Sequence, residues 1–216
     1  MSNPAFDPDC RRCPRLAKFL DEVGERYPDY HSRPVAPFGD HNARLLIVGL
    51  APGLHGANAT GRPFTGDHAG IILYETLHRY GFATLPTSTH ADDGQALIGA
   101  RLTNAVKCLP PQNKPVGAEI NECNDFLKAE LKALPRPGVV LVLGGIAHRA
   151  VLRALGLKLS AHKFAHHAVA SPQDDLTLVS SYHCSRYNTQ TRRLTGEMFD
   201  EVFADLRARV DAISAS

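Results

Sequence analysis

"RLLIVGLA" (44–51) runs straight into "PGLHGANATGRPFTGD" (52–67). The first segment is an unbroken apolar run of strand length, the pattern of a strand buried on both faces. From Gly49 to Asp67 the chain then carries five glycines, one phenylalanine, a closing aspartate and no lysine. A strand that breaks into a glycine-rich loop brings backbone amides close to a ligand. A Walker loop would offer G-x-x-x-x-G-K-[ST] to phosphates, and no Lys-Ser or Lys-Thr occurs in this chain. The loop holds something other than a nucleoside triphosphate.

Working outward, "GVVLVLGG" (138–145) and "LTLVSSYH" (176–183) are two more apolar runs, and "ARLTNAVKC" (100–108) is a half-polar one. Between them lie helical patterns: "GIILYETLHRYG" (70–81), "AEINECNDFLKAELKAL" (118–134) and "IAHRAVLRALG" (146–156). "GEMFDEVFADLRARVDAI" (196–213) is an amphipathic closing helix. Alternating strands and helices predict an α/β fold, a three-layer α/β/α sandwich around a short, mostly parallel four-stranded sheet. With neither an internal repeat nor a low-complexity linker, one domain over 1–216 is the expectation. In such folds ligands bind beyond the carboxyl ends of the strands. The glycine loop, Asn104, Gly144–Gly145 and His183 all fall there.

The 216 residues are 44% hydrophobic and 21% charged, the make-up of an ordinary globular protein. A chain of this size buries roughly 70% of its unfolded surface, so it needs no disulfides. No apolar run approaches the ~18 residues of a membrane span, and the first residues lack a secretory core. The expectation is a cytoplasmic protein with no membrane partner. Net charge is only +2, but "HKFAHH" (162–167) and "SRYNTQTRRLT" (185–195) gather basic residues in the last third of the chain. Charge alone allows these to be solvated loops or a nucleic-acid surface.

Cys10 and Cys13 form a C-x2-C pair; Cys108 and Cys123 lie far along the chain, and Cys184 stands alone. Grouped cysteines in a reducing compartment suggest metal rather than disulfides. Structural zinc favours two tight pairs, and the second pair here is wide. The spacing suits a [4Fe–4S] cluster better, with zinc or unrelated buried cysteines as the other readings.

Four stretches in this order, "GLAPGLHGANATGRPFTGD", "LTNAVKCLPPQNKP", "HKFAHHA" and "HCSRYNTQTRRLT", resemble the uracil-DNA glycosylase superfamily, and most closely its family 5. The resemblance runs from about Cys10 to Thr195 and implies a monofunctional glycosylase. Such an enzyme flips uracil, and other deaminated bases such as hypoxanthine and xanthine, out of double-stranded DNA and leaves an abasic site in base-excision repair. It also implies a monomer, nucleoid-associated during repair in a bacterium or archaeon, with Cys10, Cys13, Cys108 and Cys123 as iron–sulfur ligands. The alternatives are a family 4-like enzyme, or an iron–sulfur DNA-binding module without catalysis.

The chemistry accounts for the residue types. Breaking an N-glycosidic bond creates a cationic sugar and an anionic base, and a duplex hides that bond until the nucleotide is extruded. By the resemblance, Gly49, Leu50, Ala51, Pro52, Gly53 and His55 form the loop around the base, with Phe64 as the stacking surface. Asn104 matches the residue whose amide pairs with the base edge, and His183 the donor to the leaving oxygen. Ser185, Arg186 and Asn188 match the loop that grips phosphate and enters the duplex. The best-known members carry an aspartate where this chain has Ala51; family 5 shares that absence. Asp67 then becomes the candidate for positioning water, although an aspartate there also suits a helix cap. Other departures are His167 and Arg192 where the family favours glycine, and Cys184 where it favours proline.

Overall fold

The computed structural model describes residues 6–215. Four parallel strands form its centre: β2 (Leu45–Gly49), β3 (Ala100–Asn104), β4 (Gly138–Leu143) and β6 (Leu176–Ser181). Two antiparallel edge strands, β1 (Phe38–Gly39) and β5 (Val169–Gln173), complete a six-stranded sheet of order β1-β3-β2-β4-β6-β5. The expected four-stranded sheet is thus corrected to six. β1 has only two residues, and β5 alternates between exposed and half-buried positions, so neither has an apolar run to betray it. The four expected strands all stop short at their carboxyl ends, because the residues beyond leave the ladder to build the site.

Side-chain alternation loads both faces of the sheet. Ile47, Leu102, Leu141 and Val179 pack with Leu73 and Leu77 of α3 (His68–Arg79) and Phe199 and Phe203 of α7 (Gly196–Ser214). Val48, Val140, Val142 and Leu178 pack on the other face with Leu127 and Leu131 of α4 (Gly117–Ala133) and Val151 of α5 (Gly145–Ala154). Each such fully buried side chain stabilises the fold by about 1.5–3 kcal/mol. The chain moves outward from β2 to β3 and then jumps back past β2 to β4. Right-handed crossovers therefore place α3 and α4 on opposite faces.

α1 (Pro14–Arg26) goes beyond the helices expected from the sequence. Leu16, Leu20 and Val23 recur at helical spacing, and Pro14 sits at the first turn, where its missing N–H costs nothing. These three side chains pack with Val106, Cys108, Leu109 and Phe126, which docks the N-terminal segment beyond the carboxyl end of β3. Two short helices, α2 (Ala57–Thr60) and α6 (Arg186–Gln190), lie within loops. Among the described residues no helix is long and apolar enough to cross a membrane.

Candidate active site

The reversal of strand order falls between β2 and β4, and a cleft opens there at their carboxyl ends, as it does in open α/β sheets generally. A cavity of about 810 Å³ occupies it. Leu50, Ala51, Gly53 and His55 from the glycine loop line one side; Gly144, Gly145 and Ile146 line the other. Asp67, His183, Ser185 and Arg186 reach it from their own loops.

Phe64 and Asn104 do not line this cavity; both are buried against Gly49, 5% and 4% exposed. Gly49 is what lets them meet. It pairs with Asn104 across β2 and β3, and a Cβ on it would overlap the Phe64 ring and come within 2.5 Å of Asn104 Oδ1. No larger residue fits at the end of β2. The Phe64 ring lies 6.3 Å from that of His183. Phe64 itself has φ of 56°, strained for a bulky side chain, and it packs in the main core. The amide of Asn104 has no protein partner among the described residues.

Asp67 fills both roles considered for it. Oδ1 accepts from the Gly70 N–H at 2.9 Å and caps α3. Oδ2 turns the other way, and a Cβ on Gly56 would lie 2.7 Å from it. Gly56 is glycine so that this carboxylate can approach the loop. Burial raises the Asp67 pKa above its ordinary value, and the amides of Gly70 and Ala69 hold it partly back.

His183 sits two residues beyond β6, half-buried, and neither ring nitrogen has a protein partner among the described residues. Burial pulls its pKa down to about 4, so the imidazole is neutral near pH 7. Its backbone is held firmly, for its carbonyl accepts from Asn188 Nδ2 at 2.8 Å. Ser185 caps α6 through the Asn188 N–H. Thus Asn188 and Ser185 shape the loop, and Arg186 stands exposed at the cavity rim. Pro52 is buried beneath the loop, and His55 is exposed, bonded through Nδ1 to the Tyr30 hydroxyl at 2.8 Å.

Three residues here were not anticipated. Asn113 lines the cavity from a left-handed pair with Gln112, at φ of 57° and 54°; "PQN", a turn-rich triplet, was its only signal. His68 lines the cavity as well and bonds Thr189 at 3.0 Å, tying α3 to α6. Tyr187 is 70% exposed at the tip of that loop, an unusual display for an aromatic. The departures also find reasons. His167 and Arg192 both adopt φ of 56°, the region that favours glycine. Cys184 is wholly buried; burial and the nearby Asp67 charge push its thiol pKa up.

Cys10, Cys13, Cys108 and Cys123 line one small hollow between α1, the end of β3 and α4. Burial raises Cys13 to about 11 and Cys108 to about 12, with the neighbouring cysteines adding to both. Four thiols this close would repel one another as bare thiolates; a cationic iron–sulfur centre reverses that repulsion, so the donor set fits such a group. Among the described residues no group of three or more histidine, cysteine or acidic side chains is arranged for a single metal ion.

The cleft at the switch point of this short parallel sheet is thus lined by His183, whose pKa burial lowers, and by Asp67, one of whose oxygens caps α3. The chain belongs to the uracil DNA glycosylase superfamily, whose family model matches residues 36–207. It is similar to the type-5 uracil-DNA glycosylase of Thermus thermophilus, 47% identical over 92% of each chain. It is also similar to that of Pyrobaculum aerophilum, 42% identical over 94% of this chain and 89% of the relative. A type-4 uracil-DNA glycosylase of Archaeoglobus fulgidus is 32% identical over 56% of this chain and 54% of its own. The type-5 relatives thus cover most of this chain, and the family 5 resemblance stands.

Proposed function

We propose that the protein is a monofunctional glycosylase that removes uracil, and other deaminated bases such as hypoxanthine and xanthine, from double-stranded DNA. One observation carries the reading: His183 and Asp67 reach one cavity at the strand ends, the His183 ring has no protein partner among the described residues, and the unpartnered Asn104 amide is buried close by against Gly49.

His183, neutral near pH 7, donates an N–H to the base oxygen as negative charge gathers there. Desolvation favours this, because a neutral donor does not have to be recharged between turnovers. Asp67 uses Oδ1 to hold its own position and Oδ2 to orient water toward the sugar or to face its positive charge. Its raised proton affinity suits that work. Asn104 donates to and accepts from the base edge, and Phe64 stacks beneath the base. Asn113 reaches the same cavity from its left-handed turn and contacts the sugar or base from the opposite wall. Arg186 meets backbone phosphate, and Tyr187 enters the gap left by the extruded base.

Cys10, Cys13, Cys108 and Cys123 hold a [4Fe–4S] cluster whose chemistry here is structural, joining α1 to β3 and α4. Ala51 and Leu54 of the glycine loop pack against this same cysteine-bearing core. Purified protein should be brown and absorb near ~400 nm; stoichiometric zinc in a colourless protein contradicts the assignment.

The test is direct. A duplex oligonucleotide carrying one uracil is incubated with the protein and then treated with alkali. Strand scission at the uracil supports the enzyme. Tight binding without scission supports a DNA-binding module instead.

A further inference from the structure

Lys107 is only 1% exposed. Its ammonium has three donors, and each meets an acceptor: Glu130 Oε1 on α4 at 2.6 Å, the Asn104 carbonyl at 2.9 Å, and the Thr103 hydroxyl. Its main chain is tied too. The N–H donates to Cys123 Sγ at 3.3 Å, and the carbonyl accepts from the Val35 N–H at 2.8 Å.

A buried ion pair is a costly way to fill a core, and an apolar side chain of similar volume often serves stability as well. What an apolar side chain cannot do is hold a carbonyl. Asn104 is the last residue of β3 paired with β2. Beyond it the chain turns, and Ala105 and Val106 donate to the carbonyls of Gly49 and Leu50, each at 2.9 Å. A shift of the Asn104 Cα would carry its side chain with it. No protein group holds the amide itself among the described residues. Only its backbone can aim it.

We propose that the Lys107–Glu130 pair is a positioning device for Asn104, locking the strand end so that the amide meets the base edge. This rests on the reading of Asn104 as a base contact. Lys107 touches no part of the cavity and is a positioning residue, not a catalytic one.

The test is a double-mutant cycle on the full iron-loaded protein, since residues that act through one another are non-additive. Lys107→Met and Asn104→Ala are made singly and together, and single-turnover rates on uracil duplex are measured with iron content. A misplaced contact can cost up to ~10²-fold, so Lys107→Met should slow the wild-type background roughly tenfold or more. In the Asn104→Ala background it should cost less than about twofold. Glu130→Gln frees the ammonium from its charge partner, keeps shape, and should follow the same pattern more weakly. It serves if Lys107→Met does not fold. Equal losses in both backgrounds, with or without loss of iron, overturn the proposal by showing a merely structural role. So does a Lys107→Met rate equal to wild type. If Asn104→Ala alone is silent, the base-contact reading fails first, and the proposal falls with it.

Discussion

Two hollows of nearly equal size lie on this molecule. One is the cavity at the strand ends, about 810 Å³; the other is a cleft of about 880 Å³ between β1 and α4. Size does not separate them; the state of their polar groups does. In the second cleft Arg101 donates to the Gly39 carbonyl, Glu130 pairs with Lys107, and Gln95 is bonded to Leu85 and Thr87. Most of its polar side chains are thus engaged within the protein, with Glu130 Oε2 as a buried atom without a partner. In the first, the His183 ring holds no protein partner among the described residues, nor does the Asn104 amide buried close by, and Asp67 keeps one oxygen turned to the loop. Buried polar groups are ordinarily satisfied, so several left open around one hollow mark where a ligand completes them.

The sharpest test of that contrast is Asp67→Asn. The amide keeps the shape and can still cap α3, so the fold should hold. Losing a positioned base costs about 10²–10⁴-fold, and a single-turnover loss in that range is expected. A rate near wild type would mean that Oδ1 is all that matters and the residue is only a cap. The wild-type rate should also fall in acid as Asp67 takes up a proton, at a pH above that of an ordinary aspartate. In Asp67→Asn that limb should vanish.

His183→Ala comes next, with an expected loss of about 10²–10³-fold in the chemical step and little change in DNA binding. Its pH behaviour gives a second check. The folded-state pKa of about 4 lies below the ordinary value of 6.5, so the unfolded chain binds the proton first. The stability held by neutral His183 is complete above about pH 6.5 and declines as pH falls toward about 4. His183→Ala should flatten that part of a denaturation-midpoint profile. An activity that required protonated His183 would instead fall on raising the pH through 4, and would show that the donor is an imidazolium.

The parts of the molecule were not equally legible. The convergence of residues on the strand-end cavity could be read because its parts are glycines, one imidazole and one carboxylate in a fixed order at strand ends. The cysteine nest could be read because chelation demands a residue type. What stayed hidden was set by backbone geometry. Asn113 reaches the cavity only because two successive residues turn left-handed, and no single-residue signal announces that. Lys107 looked like one polar residue in a half-polar strand, yet it lies inside. β1 and β5 were missed because two residues, or five with no buried face, carry no periodicity. Phe64 was expected as an open stacking surface and is nearly covered, since its aromatic character says nothing of how deep it sits.

Tyr187→Ala separates the loop from the cavity. A solvent-facing aromatic contributes nothing to the core, so the melting temperature should not move. If the ring stacks in the vacated space, its loss should cost on the order of 1–3 kcal/mol in handling a paired uracil. A single-stranded substrate leaves no gap to fill and should be affected less. Equal losses on both substrates would place Tyr187 against the backbone instead.

The smallest effect should come from the second cleft. Ala96 is exposed on its wall, and Ala96→Trp would fill much of the hollow without entering the core. Its backbone N–H and carbonyl already bond Thr84, so the side chain projects with no hydrogen bond to lose. If the hollow has no part in the reaction, single-turnover rates on uracil duplex should stay within about twofold of wild type, the range of surface substitutions. The distance from Asp67 and His183 is not the reason; it is that most of the surrounding side chains bond within the protein. A tenfold loss in Ala96→Trp, with iron content and melting temperature unchanged, would break the comparison. It would mean that a hollow whose polar groups bond within the protein can still take part in the reaction.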